Sequence, residues 1–107
     1  MITPDQWFVR SHRELAIRLQ LEHRTPTVSP NAVWVREGLL ASYGVNTPDL
    51  FRRAAAYVVR ILRGENASEL PIQMPERFEV AVNIKTAAAM GLTIPPTLLA
   101  RADEVIE

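Results

Sequence analysis

The chain has 107 residues, of which 48% are hydrophobic and 22% are charged, a composition typical of a folded, water-soluble domain and unlike that of a disordered chain. Its 12 basic and 12 acidic residues cancel, so no net charge favours binding to nucleic acid or to an anionic membrane. The lack of cysteine excludes disulfides, thiolate nucleophiles and zinc sites built from cysteine.

The length predicts a single domain, 1–107. Residues 1–10 lack a basic segment followed by an apolar one, so the chain as written is not expected to be exported by an ordinary signal. No stretch approaches the roughly 18 apolar residues that a membrane span needs.

The first helix is predicted over residues 11–23. Ser11 and Glu14 have the spacing of a capping box, in which each side chain satisfies a free backbone N–H at the helix start. Leu15 and Leu19 supply the apolar side of this helix.

Two short segments follow, and each is predicted to be a strand. Residues 27–29 lie between prolines, and residues 39–43 end at Gly44. Between the two strands, residues 31–37 are expected to form a helical turn with Trp34 as its buried anchor.

The longest helix is predicted over residues 47–63. Thr47 serves as its N-cap, Pro48 occupies the first helical position, and Gly64 follows its end. Its apolar residues recur at helical spacing and form one stripe: Leu50, Ala54, Tyr57, Val58, Ile61 and Leu62.

The last third begins with a polar connector, residues 65–76, which two prolines favour in an extended path. Residues 78–82 alternate as a strand does, and Asn83 can cap a short helix after it. Paired prolines then open a last helix that is predicted to reach about Val105. The order of elements predicts an α/β layer architecture with a mainly parallel sheet.

No catalytic residue, metal site or cofactor is predicted, and we expect no enzyme activity. The sequence contains neither a nucleophile elbow nor a phosphate-binding loop. His12 and His23 would be separated by about 16 Å along a helix, too far to share a metal ion. Asp103 and Glu104 form an acidic pair that we expect to be solvated.

Arg52 and Arg53 oppose the helix dipole, because they lie in the first turn of a predicted helix. A compensating partner is therefore expected. The interpretation that we favour is a carboxylate on a packed neighbour, and the alternative is an anionic ligand.

Polar residues follow both of the early predicted strands. In open α/β sheets, ligands bind beyond the carboxyl ends of the strands, here residues 29–31 and 43–46. The candidate ligand-binding residues are Ser29, Asn31, Ser42, Tyr43, Gly44 and Asn46. Turn chemistry alone would also explain Asn31, Gly44 and Asn46, so both interpretations remain open.

Five segments resemble those of one known family: Ser42-Tyr43-Gly44, 48–55, 70–75, 78–87 and 91–103. Together they look like the closing part of ABC transporter substrate-binding proteins whose better-known relatives bind tryptophan and other aromatic amino acids. The resemblance is dense over residues 41–107 and weaker over 9–40.

The resemblance implies a fold and a function. Family members are about three times as long and have two α/β lobes of the periplasmic-binding-protein type I fold, joined by crossover strands that close on a solute. This chain would be a partial Rossmann-like lobe, with a helix and strand unit over 9–46 and a long helix, crossover and closing strand and helices over 47–107. The implied partners are a small organic solute, such as an amino acid, and a membrane permease. The implied location is the periplasm, or the cytoplasm if the chain without a signal is a complete product.

The upstream loop departs from the family pattern and leaves the identity of the solute open. Family members carry an aromatic residue after the strand and a Gly-Gly pair, where this chain has Ser29 and a lone Gly38. A second reading is a self-associating interaction module without ligand binding. In both readings we expect the isolated segment to be a homo-oligomer, because the helix over 47–63 would lack a partner for its apolar stripe.

Overall fold

The computed structural model describes Ile2 and residues 10–107. Met1 and residues 3–9, over which the sequence lacks a signal pattern, lie outside the described part. The chain divides into two compact units: unit 1 comprises Met1–Gly44 and Glu79–Glu107, and unit 2 comprises Val45–Phe78. None of the helices in the described residues has both the length and the apolar character needed to cross a membrane.

Five complete α-helices and four strands lie within the described residues, and Arg10 and Ser11 are also helical. The first half contains α1 (Arg13–Glu22), β1 (Val28–Ser29), α2 (Ala32–Glu37) and β2 (Ala41–Val45). The second half contains α3 (Thr47–Leu62), a 3-10 turn (Ala67–Glu69), β3 (Phe78–Asn83), α4 (Ile84–Ala89), α5 (Pro96–Arg101) and β4 (Glu104–Ile106).

The four strands form one sheet in the order β1-β2-β3-β4. The two outer pairs, β1 with β2 and β3 with β4, are parallel. The Asn83 N–H donates to the Leu40 carbonyl at 2.8 Å, which places the end of β3 beside the start of β2. The two middle strands therefore run in opposite directions. The prediction of an α/β fold with a mainly parallel sheet is confirmed.

The core of unit 1 lies between the sheet and the helices that follow β1 and β3. Its buried apolar residues are Trp34, Val35, Leu39, Ala81, Val82, Ala87 and Met90. Trp34 on α2 is the predicted anchor of its helical turn. Asn83 caps α4 as predicted, because its Oδ1 accepts a hydrogen bond from the Thr86 N–H at 2.9 Å.

Helix α1 differs from the prediction at its start and in its buried face. Its N-cap is His12, which makes no side-chain capping bond, so the capping box predicted at Ser11 is wrong. Leu15 and Leu19 are both exposed, whereas Gln20 is fully buried. The turn before β2 contacts this helix at Gln20 and so determines which helix face is buried. The spacing of apolar residues within the helix does not reveal that contact.

The end of the chain is a strand where a helix was predicted. Helix α5 stops at Arg101 because Ala102 adopts an extended conformation, and Val105 lies in β4, paired with Val82. Asp103 forms the junction: its backbone N–H donates to the Val80 carbonyl and its Oδ2 accepts from the Val80 N–H, both at 2.8 Å. Asp103 is exposed, as expected, and it also makes these two hydrogen bonds with Val80.

Unit 2 consists of α3 and the connector that follows it. Asn46, and not Thr47, is the N-cap of α3, since its Oδ1 accepts from the Asp49 N–H at 2.8 Å. None of the residues 45–78, all of which the structure describes, is buried. The apolar stripe of α3 is open to solvent: Phe51 is 72% exposed and Leu62 is 81% exposed.

Candidate functional site

The carboxyl ends of β1 and β2 bring most of the predicted ligand-binding residues together. Val28 pairs with Ala41, and Ser29 pairs with Ser42, in a parallel register. The loop after β1, residues 29–31, therefore lies beside the end of β2 at residues 42–44. We call these two segments together the strand-end site.

The strand-end site is held together by a close backbone approach. A Cβ added at Gly44 would lie 1.8 Å from the Pro30 carbonyl oxygen, so only a residue without a side chain fits there. The sequence predicted Gly44 as a candidate ligand-binding residue. In the structure, Gly44 makes a close contact with the chain's own neighbouring loop, at the Pro30 backbone.

Ser29 and Asn31 order the first loop through their side chains. Ser29 is 1% exposed, and its Oγ accepts a hydrogen bond from the Asn31 N–H at 3.2 Å. Asn31 caps α2, because its Oδ1 accepts from the Val33 N–H at 3.0 Å. The cap uses only the oxygen of the Asn31 amide, and its NH2 group makes no hydrogen bond within the described part of the chain.

Ser42 and Tyr43 are adjacent in β2 and have opposite environments, as alternate residues of a strand do. Ser42 is 2% exposed, and its Oγ is buried without a hydrogen-bond partner among the described residues. Tyr43 is 61% exposed. The strand-end site thus combines a buried hydroxyl with an accessible aromatic ring.

Asn46 belongs to unit 2, where its side chain caps α3 and its backbone N–H donates to the Arg77 carbonyl at 3.0 Å. Turn and cap chemistry accounts for these bonds. Its predicted role in ligand binding stays a prediction.

The cations at the start of α3 have protein partners. Arg52 lies 3.3 Å from Asp49, and Arg53 lies 3.2 Å from Glu76. Arg53 also donates to the Gln73 side chain at 3.1 Å. The favoured interpretation, a carboxylate on a packed neighbour, is therefore confirmed for Arg53, whereas Arg52 pairs with Asp49 of its own helix.

A buried polar network at the other end of the sheet was not anticipated from the sequence. The Gly38 carbonyl accepts from Gln20 Nε2 at 3.1 Å and from Thr86 Oγ1 at 3.0 Å. Gln20 Oε1 also accepts from the Leu40 N–H at 3.0 Å, and Asn83 Nδ2 donates to the Val35 carbonyl at 2.9 Å. The only sequence signal was a glutamine among apolar helical residues, and Gln20 usually would be read as a surface residue.

This network borders a cavity of about 390 Å³ in unit 1. Its lining includes Ile17, Gly38, Lys85 and Ile106. The hydrogen-bonding groups of Asn83 and Thr86 that face this region are bonded to the protein itself. Among the described residues, no group of three or more His, Cys, Asp or Glu side chains could hold a metal ion.

Arg36 on α2 and Glu104 on β4 form a two-point ion pair with N–O distances of 2.8 and 2.7 Å. The hydrogen bonds from Arg36 lower the pKa of Glu104 below its ordinary value, and the same pair raises the pKa of Arg36. The sequence predicted a solvated Glu104, and in the structure its carboxylate is partly exposed and also paired with Arg36.

The Arg36–Glu104 pair should make unit 1 less stable in acid. Because the pKa of Glu104 is lower in the folded than in the unfolded chain, its contribution to stability is present above the unfolded pKa and is lost as the pH falls through the folded value. Both side chains are more than a third exposed, so we expect at most about 1 kcal/mol. Urea titrations between pH 7 and pH 3 measure the free energy of unfolding. In Glu104→Gln this free energy should fall less steeply with decreasing pH than in the unmodified chain. An unchanged pH profile in that variant would contradict the assignment.

Comparison with known proteins identifies the family. The sequence matches the family described as ABC transporter substrate binding protein over residues 1–106. None of the curated proteins compared matches the chain.

Three solved structures share the fold. A conserved domain protein from Vibrio cholerae is 28% identical, with a TM-score of 0.88 over 97% of this chain and 35% of the other. An ABC domain in complex with L-Trp from Streptococcus pneumonia is 24% identical, with a TM-score of 0.88 over 98% of this chain and 36% of the other. The ligand-free, open structure of a substrate-binding protein with adhesive properties from Clostridium difficile is 24% identical, with a TM-score of 0.70 over 98% of this chain and 35% of the other.

The chain spans about a third of the length of these solved proteins. Its sequence match nevertheless covers nearly the whole chain, unit 1 and unit 2 alike. The resemblance found in residues 41–107 is thus part of a match that also includes the helix, strand and loop before it. The chain belongs to the ABC transporter substrate-binding protein family.

Proposed function

We propose that the chain is a segment of a substrate-binding protein that captures a small organic solute and delivers it to the membrane permease of an ABC-type uptake system. It performs no chemistry on the solute and acts in the periplasm. Both units belong to this one segment. The rest of the receptor is a further part that corresponds to the remainder of the longer relatives.

The strand-end site is the observation that supports this proposal. It gathers the loops after two parallel strands, where α/β proteins bind their ligands. Its side chains are hydroxyl, amide and phenol groups, and no charged side chain lies in residues 29–31 or 42–44. Neutral hydrogen-bonding groups beside an exposed aromatic ring suit reversible capture of a small polar solute.

An amino acid or a related compound is the solute class that we propose. Tyr43 is 61% exposed, and the amide NH2 group of Asn31 makes no hydrogen bond within the described part of the chain, so the strand-end site contains both an accessible aromatic ring and a hydrogen-bond donor. The L-Trp complex of the Streptococcus relative supports this choice.

A thermal-shift screen of the 20 amino acids tests the proposal. A solute at 100 times its dissociation constant should stabilise the chain by about 2.7 kcal/mol. Asn31→Asp provides a matched variant, because aspartate caps helices as well as asparagine does but replaces the NH2 donor with a carboxylate. We expect Asn31→Asp to keep the stability of the free chain and to lose the stabilisation by solute.

Asn31→Ser is the control for charge, since serine also caps the helix and brings no carboxylate. It should weaken the response to solute less than Asn31→Asp does. If no amino acid stabilises the unmodified chain, the proposed function is wrong. If both variants respond as the unmodified chain does, Asn31 has no role in binding.

The second candidate function is a self-associating interaction module. The lack of any buried residue in 45–78 favours it, because the exposed apolar side chains of α3 gain from contact with another protein surface. Light scattering on the screened samples separates the two functions. Association without a response to any solute supports the module, whereas a solute-responsive chain supports the receptor.

A further inference from the structure

Ser42 carries a buried polar group that the fold leaves unsatisfied. Its Oγ has no hydrogen-bond partner among the described residues, although the residue is only 2% exposed. Ser29, its partner in the parallel ladder, is buried to the same degree but accepts a hydrogen bond from the Asn31 N–H. A buried hydroxyl without a partner destabilises a protein, so its presence calls for a physical reason.

The unpaired hydroxyl faces the loop of the strand-end site. Side chains two residues apart in a strand lie on the same face, so Ser42 shares a face with Gly44. The Cβ direction of Gly44 points at the Pro30 carbonyl. Pro30 therefore lies over the face of β2 that carries the Ser42 side chain.

Two side chains of the strand-end site have an unused hydrogen-bond donor. The Ser42 O–H can donate, and the Asn31 NH2 group makes no hydrogen bond within the described part of the chain. No ionised side chain lies in either segment of the strand-end site to recognise an ammonium group. A solute oxygen that accepts hydrogen bonds, such as a carboxylate or carbonyl oxygen, complements this set.

We propose that the Ser42 hydroxyl is a binding group for an acceptor oxygen of the solute, and that the Ser29–Asn31 loop covers it in the free protein and moves aside when the solute binds. This inference rests on the proposed function. It places the end of the solute that carries the acceptor oxygen at the strand-end site. The unsatisfied hydroxyl favours ligand binding, because the ligand supplies the hydrogen bond that the free fold lacks.

The first test compares two buried serines in the absence of solute. Ser42→Ala removes an unpaired hydroxyl and should raise the melting temperature by roughly 4 °C. Ser29→Ala removes the acceptor of the Asn31 N–H and should lower it by a similar amount. A decrease in Ser42→Ala would overturn the proposal, since it would mean that the hydroxyl is already paired in the free protein.

The second test uses two acids and their decarboxylated amines: L-tryptophan with tryptamine, and L-leucine with isoamylamine. At least one acid should stabilise the unmodified chain, and its amine should not, because the amine lacks the acceptor oxygen. Ser42→Ala should bind the same acid at least tenfold more weakly than the unmodified chain. L-Tryptophanamide and L-leucinamide then distinguish a carbonyl from a carboxylate oxygen.

The outcomes separate this inference from the proposed function. If Ser42→Ala retains full affinity for a binding acid, or if acid and amine bind equally, the inference is wrong while solute binding stands. A chain that responds to neither acid also overturns the inference, whether or not another amino acid binds. Only the failure of all 20 amino acids overturns the proposed function as well.

Discussion

Gly44→Ala should destabilise unit 1 by about 3 kcal/mol or more. The added methyl group would lie 1.8 Å from the Pro30 carbonyl oxygen and 2.7 Å from its carbon, and a backbone cannot rotate away as a flexible side chain can. The clash can be removed only if the two segments of the strand-end site separate. The midpoint of urea unfolding, taken at unchanged slope, measures the loss.

Gly91→Ala is the matched control. Gly91 has a positive φ of 71° but open space around its Cβ position, so alanine there meets backbone strain without a clash. Roughly 1 kcal/mol is expected from that strain. If Gly44→Ala proves no more harmful than Gly91→Ala, the contact between Gly44 and Pro30 is not close in solution.

Gln20→Leu should destabilise unit 1 by about 2–3 kcal/mol, although it replaces a polar residue with an apolar one in a fully buried position. The leucine leaves the Leu40 N–H without an acceptor and removes one of two side-chain donors to the Gly38 carbonyl. Urea unfolding monitored by tryptophan fluorescence is a suitable measurement, because Trp34 is buried in this unit.

A double-mutant cycle with Thr86→Val tests the mechanism. Thr86 is the second side-chain donor to the Gly38 carbonyl, so either single variant leaves that oxygen with one donor and the double variant leaves it with none. The loss in the double variant should therefore exceed the sum of the single losses by about 0.5 kcal/mol or more. Strictly additive losses would show that the two side chains act independently.

Local signals in the sequence predicted the elements whose determinants are local. Asn83 caps a helix because its own amide reaches the Thr86 N–H three residues later, and the sequence alone indicates such a cap. Gly64, at φ 103°, ends α3 in the way that its position predicted. The burial of Trp34 also followed from a short helical turn between two strands.

Partners distant in the sequence caused the errors. Residues 104–106 read as the end of a helix, and their pairing with residues 81–83 makes them a strand. At the start of α3, Asn46 and Thr47 are both good caps, and only the backbone path selects the first. The burial of Gln20 depends on a turn 18 residues away.

The candidate site was predicted in position but not in detail. Parallel strands, each followed by polar residues, were enough to place Ser29, Asn31, Ser42, Tyr43 and Gly44 at one edge of the sheet. The sequence did not reveal that Gly44 touches Pro30 or that Ser42 lacks a hydrogen bond, because both facts depend on the exact approach of two loops.

The opposite directions of β2 and β3 have a consequence for the changes that unit 2 can tolerate. Asn46 and Arg77, near the two ends of unit 2, are joined by a backbone hydrogen bond of 3.0 Å. The 30 residues between them thus leave and return at neighbouring points, the arrangement in which inserted segments are best tolerated. A short hairpin turn could join the same two strands. The segment between them can therefore change in sequence or length while the sheet of unit 1 keeps its structure.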